Sequence, residues 1–240
     1  MSTITYIRHG QASLFSADYD NLSETGWQQA ELLGNYFAEQ DHPIDKIFMG
    51  PLKRHRQTLE GIQKGMAAKG KELSLQPVVL ENLKEHKLPE ILRLVTPKLI
   101  ESNEEIKEIV KQPTPTALEK KKVHFRLFEK VFLMWAKGEI DGLYEGFHSF
   151  KEFREEAKDA LEHVKSNTDK GESVIVVTSG GPVGAGVGDT LDLPIKKMCE
   201  VSWEVINSSF TTYKLTKNNF RLIGFNATPH LIDSKLRTLV

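Results

Sequence analysis

The chain has 240 residues, 39% of them apolar and 27% charged, which suits a globular protein of one large domain or two small ones with a sizeable core. A formal net charge of −1 gives the whole molecule no electrostatic steering toward nucleic acid or a membrane surface. The single cysteine, Cys199, excludes an intrachain disulfide framework, residues 1–20 lack the basic start and apolar run of a secretory signal, and no stretch approaches the roughly 18 apolar residues of a transmembrane helix. The expectation is a cytoplasmic protein.

Residues 3–7, Thr-Ile-Thr-Tyr-Ile, are a β-branched and aromatic run whose lack of alternation suits a strand buried on both faces. It delivers Arg8-His9-Gly10-Gln11 into a turn, and a polar loop runs on to about Asn21. Ser23 or Thr25 caps the next helix, Thr25 and Gln28 having capping-box spacing; Ala30, Leu33 and Phe37 mark its apolar face, and His42-Pro43 ends it. Residues 44–49 read as a second strand, punctuated by Gly50-Pro51, with a helix from about Leu52 to Lys69. That helix opens on Lys53-Arg54-His55-Arg56. Cations there oppose the helix dipole, so either an anion offsets them or they are a solvated charge run.

Residues 76–80 make a third short strand that leads to Glu81 through His86. Residues 87–148 read as a mainly helical insertion or lid over the strand ends, with helical spacing over 101–111 and 116–137, and are expected to choose the substrate. An amphipathic helix follows from Phe150 to about Ser166. The clearest strand, residues 173–178, then empties into Ser179-Gly180-Gly181-Pro182, and a helix is expected from about Val183 to Leu191. Residues 204–215 and 220–225 look like paired strands around Lys217-Asn218-Asn219, and Asn226 through Leu231 leaves the last of them. Alternating strands and helices predict an α/β fold: a single domain over 1–240, a three-layer α/β/α sandwich with a mostly parallel central sheet and a helical insertion.

Open α/β sheets bind ligands outside the carboxyl ends of their strands. If these strands are parallel neighbours, Arg8, His9, Gly10 and Gln11 share one rim with Arg54, His55 and Arg56, with Glu85 and His86, and with Ser179, Gly180 and Gly181. Two arginines and an imidazole suit a phosphoryl group, because guanidinium is a planar fork of donors and a neutral ring nitrogen can attack phosphorus. A carboxylic acid nearby can protonate a leaving oxygen. No cluster has metal-ligand spacing, Gly184-Ala185-Gly186-Val187-Gly188 does not meet the dinucleotide pattern, and no basic stripe with aromatics suggests nucleic acid.

Several ordered segments resemble the histidine phosphatase superfamily, also called phosphoglycerate mutase-like. They are Arg8-His9-Gly10-Gln11; Leu22 to Gly26 with Gln29-Ala30 and Leu33-Gly34; Pro51 to Arg54 with Gln57-Thr58; Leu83-Lys84-Glu85; and Asn226 through Leu231. The resemblance covers the first 85 residues and the last 70. It implies that His9 becomes phosphorylated, that Arg8 and Arg54 clamp phosphate, that Glu85 is the general acid and later base, with Glu81 the alternative, and that no cofactor or metal is needed. Gln11 and Gly180 join the phosphate-binding set, and His230 is read as structural.

One position departs. The resemblance implies His-Gly-Gly after the 173–178 strand, where this chain has Ser179-Gly180-Gly181. Serine donates one hydrogen bond and carries no positive charge. A histidine from elsewhere would have to fill the place, His86 and His148 being the candidates; His55 and Arg56 either assist or face solvent. Two functions remain open: a phosphomonoester hydrolase working through phosphohistidine at His9, with Ser179 slowing it, or a weak or inactive module that binds a phosphorylated small molecule or phosphoprotein in the same pocket. On the first, Ser179→His is expected to speed turnover.

Overall fold

A computed structural model describes residues 1–13, 20–216 and 219–239. Most of the loop expected after Gln11, and Lys217-Asn218 of the turn near the C-terminus, lie outside these. The described chain divides into two compact units, Met1–Glu85 with Glu156–Val240, and His86–Glu155.

The first unit is built on a six-stranded sheet of β1 (Ser2–Arg8), β2 (Lys46–Met49), β3 (Val78–Val79), β4 (Ser173–Thr178), β5 (Phe210–Thr216) and β6 (Asn219–Ala227), in the order β3-β2-β4-β1-β5-β6. The pairs β1–β4, β2–β4 and β2–β3 are parallel; β1–β5 and β5–β6 are antiparallel. In β4 every residue is buried, because both of its faces are covered. Val174 and Val176 pack with Ile4, Tyr6 and Phe48 against Ala160, Leu161 and Val164 of α6 (Phe150–Ser166) and Val183 and Val187 of α7 (Gly180–Thr190). Ile175 and Val177 face the other way, with Ile7, Ile47 and Met49 against Leu33 and Phe37 of α1 (Glu24–Glu39) and Leu59, Ile62 and Met66 of α2 (Lys53–Ala68). This is the expected α/β/α sandwich with a largely parallel sheet.

The layering explains where a site can form. β1 and β4 are parallel neighbours, yet the helix after β1 covers one face and the helix after β4 the other. The chain therefore parts between their carboxyl ends, which is the switch point where open α/β sheets bind ligands.

Local boundaries follow chemistry that can be named. Ser23 rather than Thr25 caps α1, its Oγ accepting from the Gly26 N–H at 3.1 Å. The third strand shrinks to two residues. A nine-residue helix, α8 (Ile195–Trp203), was not expected from the sequence; Gly184 and Gly188 of α7 pack directly on it, since a Cβ at those positions would meet Ser202 Oγ at 1.9 Å and Met198 Cε at 2.4 Å. The glycine run thus serves close helix packing.

The second unit is helical, with α3 (Leu88–Ser102), α4 (Glu104–Lys111) and α5 (Ala117–Ala136) leading into the start of α6. Only the last residues of α3 have the spacing read as helical from sequence. Pro89 and Pro97 obscure the rest, although proline is tolerated in a first turn and Leu88, Ile91, Leu92, Val95 and Leu99 form one buried stripe. Thr116 and Glu119 close a capping box on α5. Trp135 donates to the His148 carbonyl at 2.8 Å, and the His86 ring is held edge-on by Phe132, Trp135 and Phe153.

Gly26 fixes how the turn after β1 sits on α1. A Cβ there would lie 2.2 Å from the Gln11 carbonyl oxygen, a backbone atom that cannot rotate away. Gly26→Ala is expected to cost about 2 kcal/mol, or roughly 4–8 °C in Tm for a chain of this size. Gly224→Ala, whose Cβ would meet nothing within 4 Å, is the control and should melt near the wild type in a thermal scan. Equal melting of the two variants would contradict the close approach.

Candidate functional site

Parallel register sets the site. Arg8 lies opposite Thr178 and Met49 opposite Val177, and the ladder runs one residue further: His9 N–H donates to the Thr178 carbonyl at 2.8 Å and Gly50 N–H to the Val177 carbonyl at 3.0 Å. His9, Ser179 and Gly50 therefore leave three neighbouring strands side by side.

The His9 ring is oriented from both nitrogens. Nδ1 lies 2.7 Å from the Gly10 carbonyl oxygen, which can only accept, so Nδ1 carries the proton. Nε2 is then left with its lone pair and accepts from Arg54 Nε at 3.0 Å. Burial, then the charges of Arg54 and Arg8 and the neighbouring His55, hold the His9 pKa well below the usual histidine value. The ring is neutral at neutral pH, as an attacking nitrogen must be.

The turn that carries His9 is tied on every side. Gly10 N–H donates to Thr58 Oγ1, which donates in turn to the Arg54 carbonyl at 2.7 Å. Ser208 N–H donates to the carbonyls of Arg8 and His9, and Asn207 Nδ2 to that of His9. His230 Nε2 meets Ser208 Oγ at 3.2 Å, which places it one hydrogen bond behind the turn. Gln29, fully buried, accepts from Gln11 N–H at 2.8 Å and donates to Leu236 O and Thr238 Oγ1.

Arg54 is buried, and its fork is shared between His9 and Asp20, whose Oδ1 accepts from Nη1 at 2.8 Å. The other Asp20 oxygen accepts from Lys53 N–H at 2.8 Å, at the start of α2. This carboxylate is the anion that offsets the cations of that helix start. Arg56 is the solvated part of the run: it is exposed and pairs only loosely with Glu60, at 3.7 Å. His55 does not face solvent. It is fully buried, with Nε2 2.8 Å from Ser179 Oγ and its ring centroid 5.7 Å from that of His9.

Arg8 donates to the Val205 carbonyl, and its guanidinium lies against Gly180, where a Cβ would be 3.5 Å from Nε. Glu85 accepts from Gly181 N–H at 3.2 Å, in the first turn of α7, whereas Glu81 is exposed. The segment before Glu85 is fixed to β4 by Thr178 Oγ1, which donates to the Leu83 carbonyl at 2.6 Å. The Gln11 side chain turns to Ser23, whose Oγ donates to Gln11 Oε1 at 2.9 Å.

The structure thus brings Arg8, His9, Arg54, Glu85, Ser179 and Gly180 to the ends of β1 and β4, and ties Gln11 to the cap of α1. Sequence reasoning missed Asp20, Asn207 and Ser208, and left His55 open between assisting the site and facing solvent. The adjacency of His55 to Arg54 was its only signal. Among the described residues no group of His, Cys, Asp or Glu is arranged to hold a metal ion, and no helix is long and apolar enough to cross a membrane.

The buried rings make stability depend on pH. Burial pushes His55 down to about 3 and His230 to about 4, and His9 well below its usual value. Unfolding frees each ring to bind a proton near pH 6.5, so the unfolded chain binds more protons as pH falls below that value. Stability is therefore full above about pH 6.5 and lost as pH falls toward 3–4, by about 1.4 kcal/mol per pH unit for each ring once unfolded rings are protonated. Urea melts should show a lower midpoint at pH 5 than at pH 7; equal midpoints would contradict burial of the neutral rings.

The α/β sandwich thus places a neutral histidine beside Arg54, with Arg8, Glu85 and Ser179 at the neighbouring strand ends. The sequence model of the histidine phosphatase superfamily (branch 1) matches residues 4–126 and 118–228, and the chain belongs to that family. A search of curated proteins found no sequence match. Among solved structures, a mutant phosphoserine phosphatase from Entamoeba histolytica, in complex with phosphoserine, is 18% identical, with a TM-score of 0.60 over 97% of this chain and 100% of that one. YhfR of Bacillus stearothermophilus is 18% identical, with a TM-score of 0.63 over 96% and 100%. A mycobacterial glucosyl-3-phosphoglycerate phosphatase is 20% identical, with a TM-score of 0.58 over 94% and 99%. At these identities the likeness speaks to the fold.

Proposed function

We propose that the chain hydrolyses small phosphomonoesters through a phosphohistidine on His9. The observation that carries this reading is the His9 ring itself: Nδ1 is committed to the Gly10 carbonyl, and Nε2 keeps its lone pair beside Arg54. Nε2 attacks phosphorus as the ester P–O bond breaks, and Glu85, in its acid form, gives its proton to the leaving oxygen. Water then attacks the phosphoryl group, the Glu85 carboxylate takes its proton, the P–N bond breaks and phosphate leaves. Arg8 and Arg54 spread the charge of the transferring group, with the first N–H groups of α7, at Gly180 and Gly181, beside them. Arg54 passes from Nε2 to the phosphoryl oxygens when substrate enters. Phosphoserine and glucosyl-3-phosphoglycerate, named with the structural relatives, are small phosphomonoesters and support that substrate class.

A panel of phosphomonoesters tests this, with quenched turnover read for phosphate bound to the chain. The expected label is acid-labile and base-stable, as a phosphoramidate is; an acid-stable label would overturn the phosphohistidine step. Ser179 favours a second reading, a phosphate-binding module with little turnover. Protection by phosphate against thermal unfolding, with no hydrolysis anywhere in the panel, would select it.

A further inference from the structure

Ser179 occupies the N-cap of α7, where a serine ordinarily accepts a hydrogen bond from the first turn of its own helix. It makes no such bond. Gly181 N–H is taken by Glu85 instead, and the Ser179 hydroxyl meets His55 Nε2 at 2.8 Å. Both side chains are fully buried.

The His55 ring sits in a slot shaped for it. It reaches from the first turn of α2 beneath Gly50, where a Cβ would lie 2.3 Å from Nδ1 and 2.6 Å from the Leu83 carbonyl oxygen. Nδ1 faces the Gly50 backbone without a well-formed hydrogen bond, so the one well-formed hydrogen bond of this fully buried imidazole is with Ser179. A buried polar ring with one nitrogen poorly matched is poor material for a core, and an aliphatic side chain would fill the slot without that cost. His9 is the next ring along, 5.7 Å away at a tilt of 38°.

We propose that His55 is a positioning residue: it holds the Ser179 hydroxyl as a donor to the phosphoryl group on His9, so that a serine from β4 and an imidazole from α2 together serve where the family resemblance implies one histidine. In this arrangement Nε2–H donates to Ser179 Oγ, which leaves the hydroxyl proton for a phosphoryl oxygen. Each bond polarises the next as negative charge builds there. The inference rests on the hydrolase reading, and it reverses one expectation from the sequence. Ser179→His alone would drive a second ring into the space His55 fills, and should slow the enzyme rather than speed it.

The test uses the whole chain and p-nitrophenyl phosphate. Ser179→Ala and His55→Ala should each lower kcat by about 10²-fold, the loss typical of one transition-state donor, with little change in KM. The double variant should be no slower than either single one, because His55 acts through Ser179. His55→Gln, whose amide nitrogen reaches about as far as Nε2, should recover most of the rate, and Ser179→His combined with His55→Ala should be at least as fast as wild type. Losses that multiply in the double variant would overturn the proposal. So would wild-type kcat in a folded His55→Ala, or a His55→Gln that melts normally and is as slow as His55→Ala. If wild type shows no turnover that depends on His9, the hydrolase reading fails by itself. Orthovanadate affinity then reads the pair: equal, non-additive weakening by the two alanine variants supports it, and unchanged affinity overturns it.

Discussion

His9→Ala is expected to abolish turnover of every phosphomonoester the wild type accepts, a loss on the order of 10⁴-fold or more. The size follows from what is removed. No other nitrogen in the described site has its lone pair aimed as Nε2 has, with the opposite ring nitrogen held by the Gly10 carbonyl and a guanidinium at 3.0 Å. The variant should still fold, because the turn's own backbone is held by bonds to the Thr178 carbonyl, the Ser208 N–H and the Asn207 side chain that do not involve the ring. A thermal melt within a few degrees of wild type, together with loss of the acid-labile phosphoryl label, is the expected pair of results. Hydrolysis that survives His9→Ala and disappears in Ser179→Ala would move the nucleophile to serine and end the phosphohistidine reading. In the wild type, the limb of kcat/KM that reports His9 should lie below the usual histidine value near 6.5, since burial and two arginines disfavour the protonated ring.

Arg54→Ala is expected to lower kcat/KM by about 10²–10³-fold, through loss of a charged donor to the transferring group. A second effect separates it from general damage. The Arg54 charge is, after burial, the largest influence holding the His9 pKa down. Without it the protonated ring is less disfavoured, the His9 pKa rises, and the acid limb moves to higher pH. Arg54→Lys keeps a charge but not the planar fork, so it should keep the limb near its wild-type position while losing rate. An acid limb that stays fixed in Arg54→Ala would show that Arg54 does not set the state of the nucleophile. The Asp20 carboxylate loses its ion pair with Arg54 in the same variant, so a lower Tm is expected beside the kinetic change.

The strands and helices nearest the site were readable from local pattern. Residues 3–7 and 173–178 are apolar without alternation because both faces of the sheet are covered, and the spacing of Leu33 and Phe37 is the face α1 lays on it. Arg8 and His9 were visible as polar groups delivered by an apolar strand, Arg54 as a cation at a helix start that an anion must offset, and Glu85 through the family resemblance. The helices over 88–102 and 195–203 were not. In the first, Pro89 and Pro97 hide a stripe that packing completes; the second is short and was not singled out by its spacing. Asp20 was also out of reach, because one aspartate in a polar loop gives no sign that two donors of the next helix but one will close on it.

By itself the sequence determined the α/β class, the order of the strands, and a histidine delivered with arginine to the end of the first strand, because each of these depends on residues near one another in the chain. Only the tertiary structure decided that β4 lies between β1 and β2. That order sets Ser179 beside His9 and brings His55 to it across 124 positions of chain, so the imidazole left open between the site and solvent is buried at the site. The physical reason is that periodicity reports which face of an element is apolar, whereas the neighbour of a strand end is chosen by how whole layers close over both faces of the sheet.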